Sequence, residues 1–336
     1  MFKRRHRAAV AALGLAVGLI PTIGSGQEID IAMALPASTL TFSAAFIAED
    51  AGFYKQERLK VTNYTIVGVG SVNAVIAGSA DFTIGTGPVF LRAAAQGQRL
   101  LAIANLVDKP LVELVLRKDV AAAAGITDQT PLGERAKALR GKTIGIQGVG
   151  SIVHAWERLV ASRGGLDIEK DVRIAPMDPV AMLAALATKS LDGYATSLPF
   201  TTEAVVKGSA IMLASAVSDA PDLLPFAYGL VYARPDTCNR QREKCVRIAR
   251  ALAGANKFIH EKPAEALEIL KRRFDKMDAA VLAAAWQIVS QAHAKDVRIS
   301  VPGLDHSQKV SLEAKLLEPK DALASFEGLY TDEFLR

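Results

Sequence analysis

Little in this chain of 336 residues is chemically reactive. It has two cysteines and five histidines, and only 6% of its residues are aromatic. There is no G-x-S-x-G, no H-E-x-x-H and no lysine after a glycine loop, so the common hydrolase, zinc-protease and P-loop signatures are missing. Cys238 and Cys245 lack the spacing and the nearby histidines of a metal site. These shortages argue against an enzyme and point to no cofactor. There is no low-complexity tract, and half of the residues are hydrophobic, as in a folded chain long enough for two domains.

A surplus of one charge is also missing once the N-terminus is set aside. Lys3, Arg4, Arg5 and Arg7 precede an uncharged, mostly apolar run over residues 8–20, then Pro21 and the small residues Gly24, Ser25 and Gly26. This is the three-part pattern of a secretory signal over residues 1–26, with a run too short to span a bilayer comfortably. Its removal leaves 36 basic against 35 acidic residues, about +1 in place of +5. No basic face remains for a nucleic acid. Export permits one disulfide between Cys238 and Cys245. Within one continuous helix the two would stand about 10 Å apart, too far to bond. A bond therefore requires Cys238 to precede the helix and fold back, as Pro235, Asp236 and Thr237 permit; two free thiols are the alternative.

What is present is a repeat. Gly68-Val69-Gly70-Ser71 returns as Gly148-Val149-Gly150-Ser151. Each copy follows a strand-like run (61–67 and 143–146) and precedes a helix-like run (72–77 and 152–162). Glycines there let the backbone turn sharply and approach a ligand, and the helix start offers unpaired N–H groups. Each copy alone reads as an ordinary turn, but a second correspondence follows. Asp81 and Asp192 each end a Ser-x-Asp, open a short strand, and stand seven residues before Pro88 and Pro199. Both aspartates read as structural turn residues. Strand and helix alternate through most of the chain, which predicts an α/β fold of doubly wound, mostly parallel sheets flanked by helices. Residues 121–130 are small and turn-rich, a plausible crossing between two units. After residue 245 the pattern becomes successive helices.

Ligands of such sheets bind beyond the carboxyl ends of the strands. The candidate ligand-binding residues there are Ser38, Thr39, Gly68, Gly70, Ser71, Thr86, Gly148, Gly150, Ser151, Ser197 and Tyr228. Ser38 and Thr39 have helix capping as their alternative role. His154, three residues into the second helix, is a candidate as a cation or as a hydrogen-bond donor, or else an ordinary helix histidine. No arginine lies in these loops, which favours a monoanion with an organic body over a small dianion.

The stretch Ala48-Glu49-Asp50-Ala51-Gly52-Phe53-Tyr54, Leu59-Lys60-Val61, the Gly68–Ser71 loop, Ala77 to Phe82 and Leu139 to Gly145 carry a resemblance. The chain resembles the periplasmic solute-binding proteins of ABC transporters for nitrate, sulfonate, taurine and bicarbonate, of the NMT1/THI5-like superfamily. The resemblance implies a two-lobed type II periplasmic binding protein with a hinge. Lobe one is expected from residues 27–118 and 226–336, lobe two from 119–225. It also implies a periplasmic monomer that closes on a small-molecule solute and delivers it to an ABC permease in the inner membrane. A thiamine-pyrimidine-precursor binder or synthase of the same superfamily is the alternative, and a sensor domain a third.

Overall fold

Two five-stranded sheets of the same plan organise the protein. A computed structural model describes residues 27–335; the expected signal lies outside the described residues. The first sheet contains β1 (Ile29–Leu35), β2 (Leu59–Thr65), β3 (Phe82–Gly85), β4 (Leu101–Asn105) and β10 (Leu230–Ala233). Their order is β2-β1-β3-β10-β4. The second contains β5 (Glu113–Arg117), β6 (Thr143–Ile146), β7 (Arg173–Pro176), β8 (Gly193–Thr196) and β9 (Ala210–Ser215), in the order β7-β6-β8-β5-β9. Each sheet is parallel except for one strand, β10 or β5, which runs antiparallel to both of its neighbours. Every residue of β3, β8 and β10 is buried, as expected where helices cover both faces of a sheet.

The two antiparallel strands are the exchanges between sheets. The chain leaves the first sheet after β4 and enters the second at β5, so the crossing lies between Asn105 and Glu113. The crossing expected over residues 121–130 is instead a short helix, Lys118–Ala123, and its following turn. β5, counted with the first lobe in the sequence, pairs in the second sheet because its partners β8 and β9 lie far along the chain. The return passes between β9 and β10. The two crossings run side by side. Phe226 N–H donates to the Asp108 carbonyl at 2.8 Å, and Tyr228 N–H to that of Val107 at 3.1 Å. The Asn105 amide joins both, donating to Phe226 O (3.3 Å) and accepting from Gly229 N–H (3.2 Å).

The repeat seen in the sequence has a structural meaning. Asp81 Oδ2 accepts from Ala32 N–H of β1 at 2.9 Å, and Asp192 Oδ2 from Thr143 N–H of β6 at 2.8 Å. Each aspartate stands just before a strand, β3 or β8, and ties it to the neighbouring parallel strand, β1 or β6, so the link joins the second and third strands of each sheet order. Beyond β10, the helix Arg242–Glu261 buries Cys245, Ile248, Ala249, Leu252, Ala255, Asn256 and Ile259, spaced at three and four residues. It packs on the helix Ser43–Asp50 of the first sheet. Cys238 sits in a separate short helix, Pro235–Arg240, and bonds Cys245 across the break at Gln241, with Cα atoms 5.5 Å apart.

Candidate functional site

The carboxyl ends of the parallel strands in the two sheets face one cleft. It holds about 530 Å³ of empty space, its open mouth included. Four helical starts reach it: a 3-10 turn at Leu40–Phe42 and the helices Gly70–Ala77, Gly87–Ala95 and Ile152–Arg163. The sheets support these starts at strand ends, and the glycines allow the chain to turn there. Gly68 (φ +62°) and Gly150 (φ +78°) occupy the left-handed region that other residues avoid.

The two halves touch across the cleft. Leu40 N–H donates to the Leu198 carbonyl of the opposite half at 3.0 Å. The two glycine loops meet face to face: a Cβ on Gly148 would stand 4.0 Å from Gly68 Cα, and one on Gly68 3.5 Å from the Gln147 carbonyl oxygen. Arg92, from the helix Gly87–Ala95, lies so close over Gly150 that a Cβ there would meet its guanidinium at 2.6 Å.

Of the residues singled out in the sequence, Thr39, Gly68, Ser71, Thr86, Ser151, Ser197 and Tyr228 line this cleft. Their hydroxyls differ in how far they are committed. Ser71 donates to the Gly68 carbonyl at 3.2 Å, and Ser151 caps its helix by accepting from His154 N–H at 3.4 Å. Ser197 and Tyr228 share a hydrogen bond of 3.4 Å across the halves. Thr86 Oγ1 is buried without a partner. Ser38 points to solvent, and Gly70, packed under Ile66, does not reach the cleft. Gly148 and Gly150 shape the mouth without lining the cavity.

His154 also stands outside the lining, and its role differs from the one expected. Its ring folds back and Nδ1 accepts from Gly150 N–H at 3.1 Å, so the proton of the neutral ring is on Nε2. Burial lowers its pKa, and the nearby Arg158 adds to this against the opposing pull of Glu169. A neutral histidine thus pins the second glycine loop from behind. A helical side chain leans toward the N-terminus, which is why a residue so placed reaches its own loop.

Sequence reasoning missed Thr41, Gln147 and the apolar walls Phe42, Val72, Ile152 and Val153. Thr41 Oγ1, like that of Thr86, is buried and unpartnered. Gln147 follows β6 at the carboxyl end of the sheet, a position that the strand assignment alone would have flagged. No lysine, arginine, aspartate or glutamate belongs to the described lining. The helices Gly70–Ala77 and Gly87–Ala95 have no side-chain cap; Gly70 N–H donates to the Val67 carbonyl at 3.3 Å and Gly87 N–H to that of Ala227 at 2.7 Å, and Pro88 has no N–H.

Behind this wall, Glu113 at the start of β5 is buried. It accepts hydrogen bonds from the Thr201 and Ser215 hydroxyls. Burial outweighs these bonds and raises its pKa to about 7.

The chain matches the family described as NMT1/THI5 like over residues 40–266. A curated protein of Brucella abortus (strain 2308), named as a binding protein with no ligand stated, is 25% identical over 283 residues. The match covers 82% of this chain and 81% of that one. The alkanesulfonate-binding protein SsuA from Xanthomonas axonopodis pv. citri, solved with MOPS bound, has a TM-score of 0.70 at 19% identity, covering 89% of this chain and 97% of that one. The periplasmic nitrate-binding protein NrtA from Synechocystis PCC 6803 has a TM-score of 0.70 at 15% identity, covering 92% and 88%. These likenesses establish the two-lobed periplasmic-binding-protein fold.

Proposed function

Since the chain belongs to the NMT1/THI5-like family, we propose that it is a periplasmic solute-binding protein of the ABC-import kind. It captures a small anionic organic solute between its two lobes and hands it to a membrane permease. The supporting observation is that the unpartnered hydroxyls of Thr41 and Thr86 in the first half face an apolar cleft across which the second half makes contact through the Leu40–Leu198 hydrogen bond. Similar folds that bind an alkanesulfonate and nitrate support an anion as the class.

The charge argument narrows the class. A helix N-terminus carries roughly half a positive charge. The three α-helix starts at the cleft, Gly70, Gly87 and Ile152, together carry about one to one and a half positive charges, and no lining cation adds to them. A monoanion is matched and a dianion is not. The hydroxyls of Thr41, Thr86, Ser197 and Tyr228 orient the head group, while Phe42, Val72, Ile152 and Val153 take the organic body. Lobe one comes from the N- and C-terminal parts of the chain and lobe two from the middle; the protein works as a monomer, by capture and not by catalysis.

The test is a thermal-shift screen of the mature protein against alkyl and aryl sulfonates, carboxylates, nitrate, bicarbonate and pyrimidines, followed by calorimetry. A ligand at a hundred times its Kd stabilises the folded state by about 2.7 kcal/mol. An organic monoanion is expected to give the largest shift. No shift with any of these compounds, or turnover of one of them, refutes the capture reading.

A further inference from the structure

One cation beside the cleft has no counter-charge. Arg92 lies on the helix Gly87–Ala95, three residues after Val89, which lines the cleft. That spacing puts both on one helix face, about 4.5 Å apart along the axis, so Arg92 stands just outside the lining. Its guanidinium reaches across to the other half and lies over Gly150. Its atoms stand 2.6, 3.3 and 3.4 Å from where a Cβ on Gly150 would be. The next residue, Ser151, lines the cleft and caps the helix Ile152–Arg163. Among the described residues no hydrogen bond or ion pair holds the half-buried Arg92.

The surroundings make this position unfavourable. Arg92 faces the positive start of a helix and a second arginine, Arg158, further along it. Burial lowers the Arg92 pKa, and Arg158 lowers it further. Glu169 is committed to Arg158. Arg158 itself is well placed: it donates to the Ala314 carbonyl at 2.9 Å and to that of Lys315 at 3.1 Å. These carbonyls end the helix Val301–Glu313, where the dipole favours a cation. That helix packs on Gly87–Ala95 and so belongs to the first half. The two arginines thus cross the same seam in opposite directions and with opposite effects. Arg158 draws the halves together, and Arg92 resists their meeting.

We propose that Arg92 determines specificity without touching the solute: it opposes contact of the halves over an empty cleft or a neutral solute, and an anion held beside Ser151 removes that opposition. The proposal rests on the capture reading above. Ser151 adjoins the residue under the guanidinium, so an anion there lies well inside the Debye length of about 10 Å at 0.1 M salt. A ligand shifts an equilibrium only by its differential interaction with the two states, and Arg92 makes charge the source of that difference. The walls and hydroxyls of the cleft select shape; Arg92 selects sign.

The first test uses no solute. Small-angle X-ray scattering of the mature protein at low ionic strength should give Arg92→Gln a smaller radius of gyration than the wild type. Arg92→Lys keeps the charge and should match the wild type, and Arg158→Gln should be no more compact than it. If Arg92→Gln is not more compact, if Arg92→Lys compacts as much, or if Arg158→Gln compacts too, the proposal is overturned. The capture reading fails separately, when the solute screen gives no shift. The second test is calorimetry with benzenesulfonate and its neutral isostere benzenesulfonamide. The preference for the anion should fall about tenfold in Arg92→Gln, chiefly because the neutral compound gains once contact of the halves is no longer opposed. An unchanged ratio overturns the proposal; where neither compound binds, the scattering decides.

Discussion

Replacing Glu113 with glutamine should flatten the pH dependence of stability. Its carboxyl titrates near 4.5 when the chain is unfolded and at about 7 in the fold. Between these values the folded state holds a proton that the unfolded state has released. Stability from this group is thus fully present below pH 4.5 and is lost as pH rises through 7. At 1.36 kcal/mol per pKa unit, the loss amounts to about 3 kcal/mol. The group is buried, so solvent screening does not reduce that figure appreciably. Glutamine keeps the shape and stays neutral, with an acceptor and a donor for the Thr201 and Ser215 hydroxyls. Near pH 5 the variant should match the wild type to about 1 kcal/mol; at pH 8 it should be more stable by up to about 3 kcal/mol. Urea unfolding at pH 5, 6, 7 and 8 reads this as a gap in midpoint that opens with pH. Glu157, buried with neither oxygen partnered, adds a slope of the same sign, but it is common to both proteins and cancels in the difference. Parallel curves for the two proteins would refute the reasoning.

Other outcomes follow from the cleft and the covalent link. Thr86→Val removes a buried hydroxyl that has no protein partner, so calorimetry should find solute affinity down about tenfold with the unfolding midpoint unchanged or higher; unchanged affinity would show that this hydroxyl does not touch the ligand. Gly150→Ala places a side chain at φ +78° against Arg92. It should cost about 1–3 kcal/mol, seen as weaker solute binding and a lower Tm, and a neutral result would mean that the loop opens freely. The double change Cys238→Ser with Cys245→Ser should cost about 2.5 kcal/mol, as should reduction of the wild type, because the bond closes a loop of sequence separation 7; denaturant midpoints equal to the wild type's would contradict this.

Local pattern revealed the parts of this fold that local chemistry builds. The repeated glycine loops and the paired Ser-x-Asp appear as written, because each motif sits at a single joint between adjacent elements; that each aspartate bonds a strand 49 residues earlier is not part of the local pattern. The placement of β5 was not legible. Its residues read as a strand, but its neighbours β8 and β9 begin some 80 and 100 residues later, and no local signal carries that pairing. Thr41 escaped notice because a hydroxyl on a single 3-10 turn looks like any other until the opposite half closes over it. The position of His154 marks it in the sequence, but the direction of its ring is not legible there, since its partner is the backbone of its own loop. The cysteine pair was legible only as a choice, which the break at Gln241 decides.

The exchange of strands also sets a timetable. β10 lies between β3 and β4, so the first sheet lacks an inner strand until residues 230–233 are available. β4 has no other strand partner in that sheet and must wait, although it is made far earlier. The second sheet needs only residues 113–215, an unbroken stretch. A chain delivered from its N-terminus therefore completes its middle before its beginning. Through that interval β4 and the outer edge of β3 lack their partner strand, open to a chaperone or to one another. The half that starts the protein is the last to become a folded object.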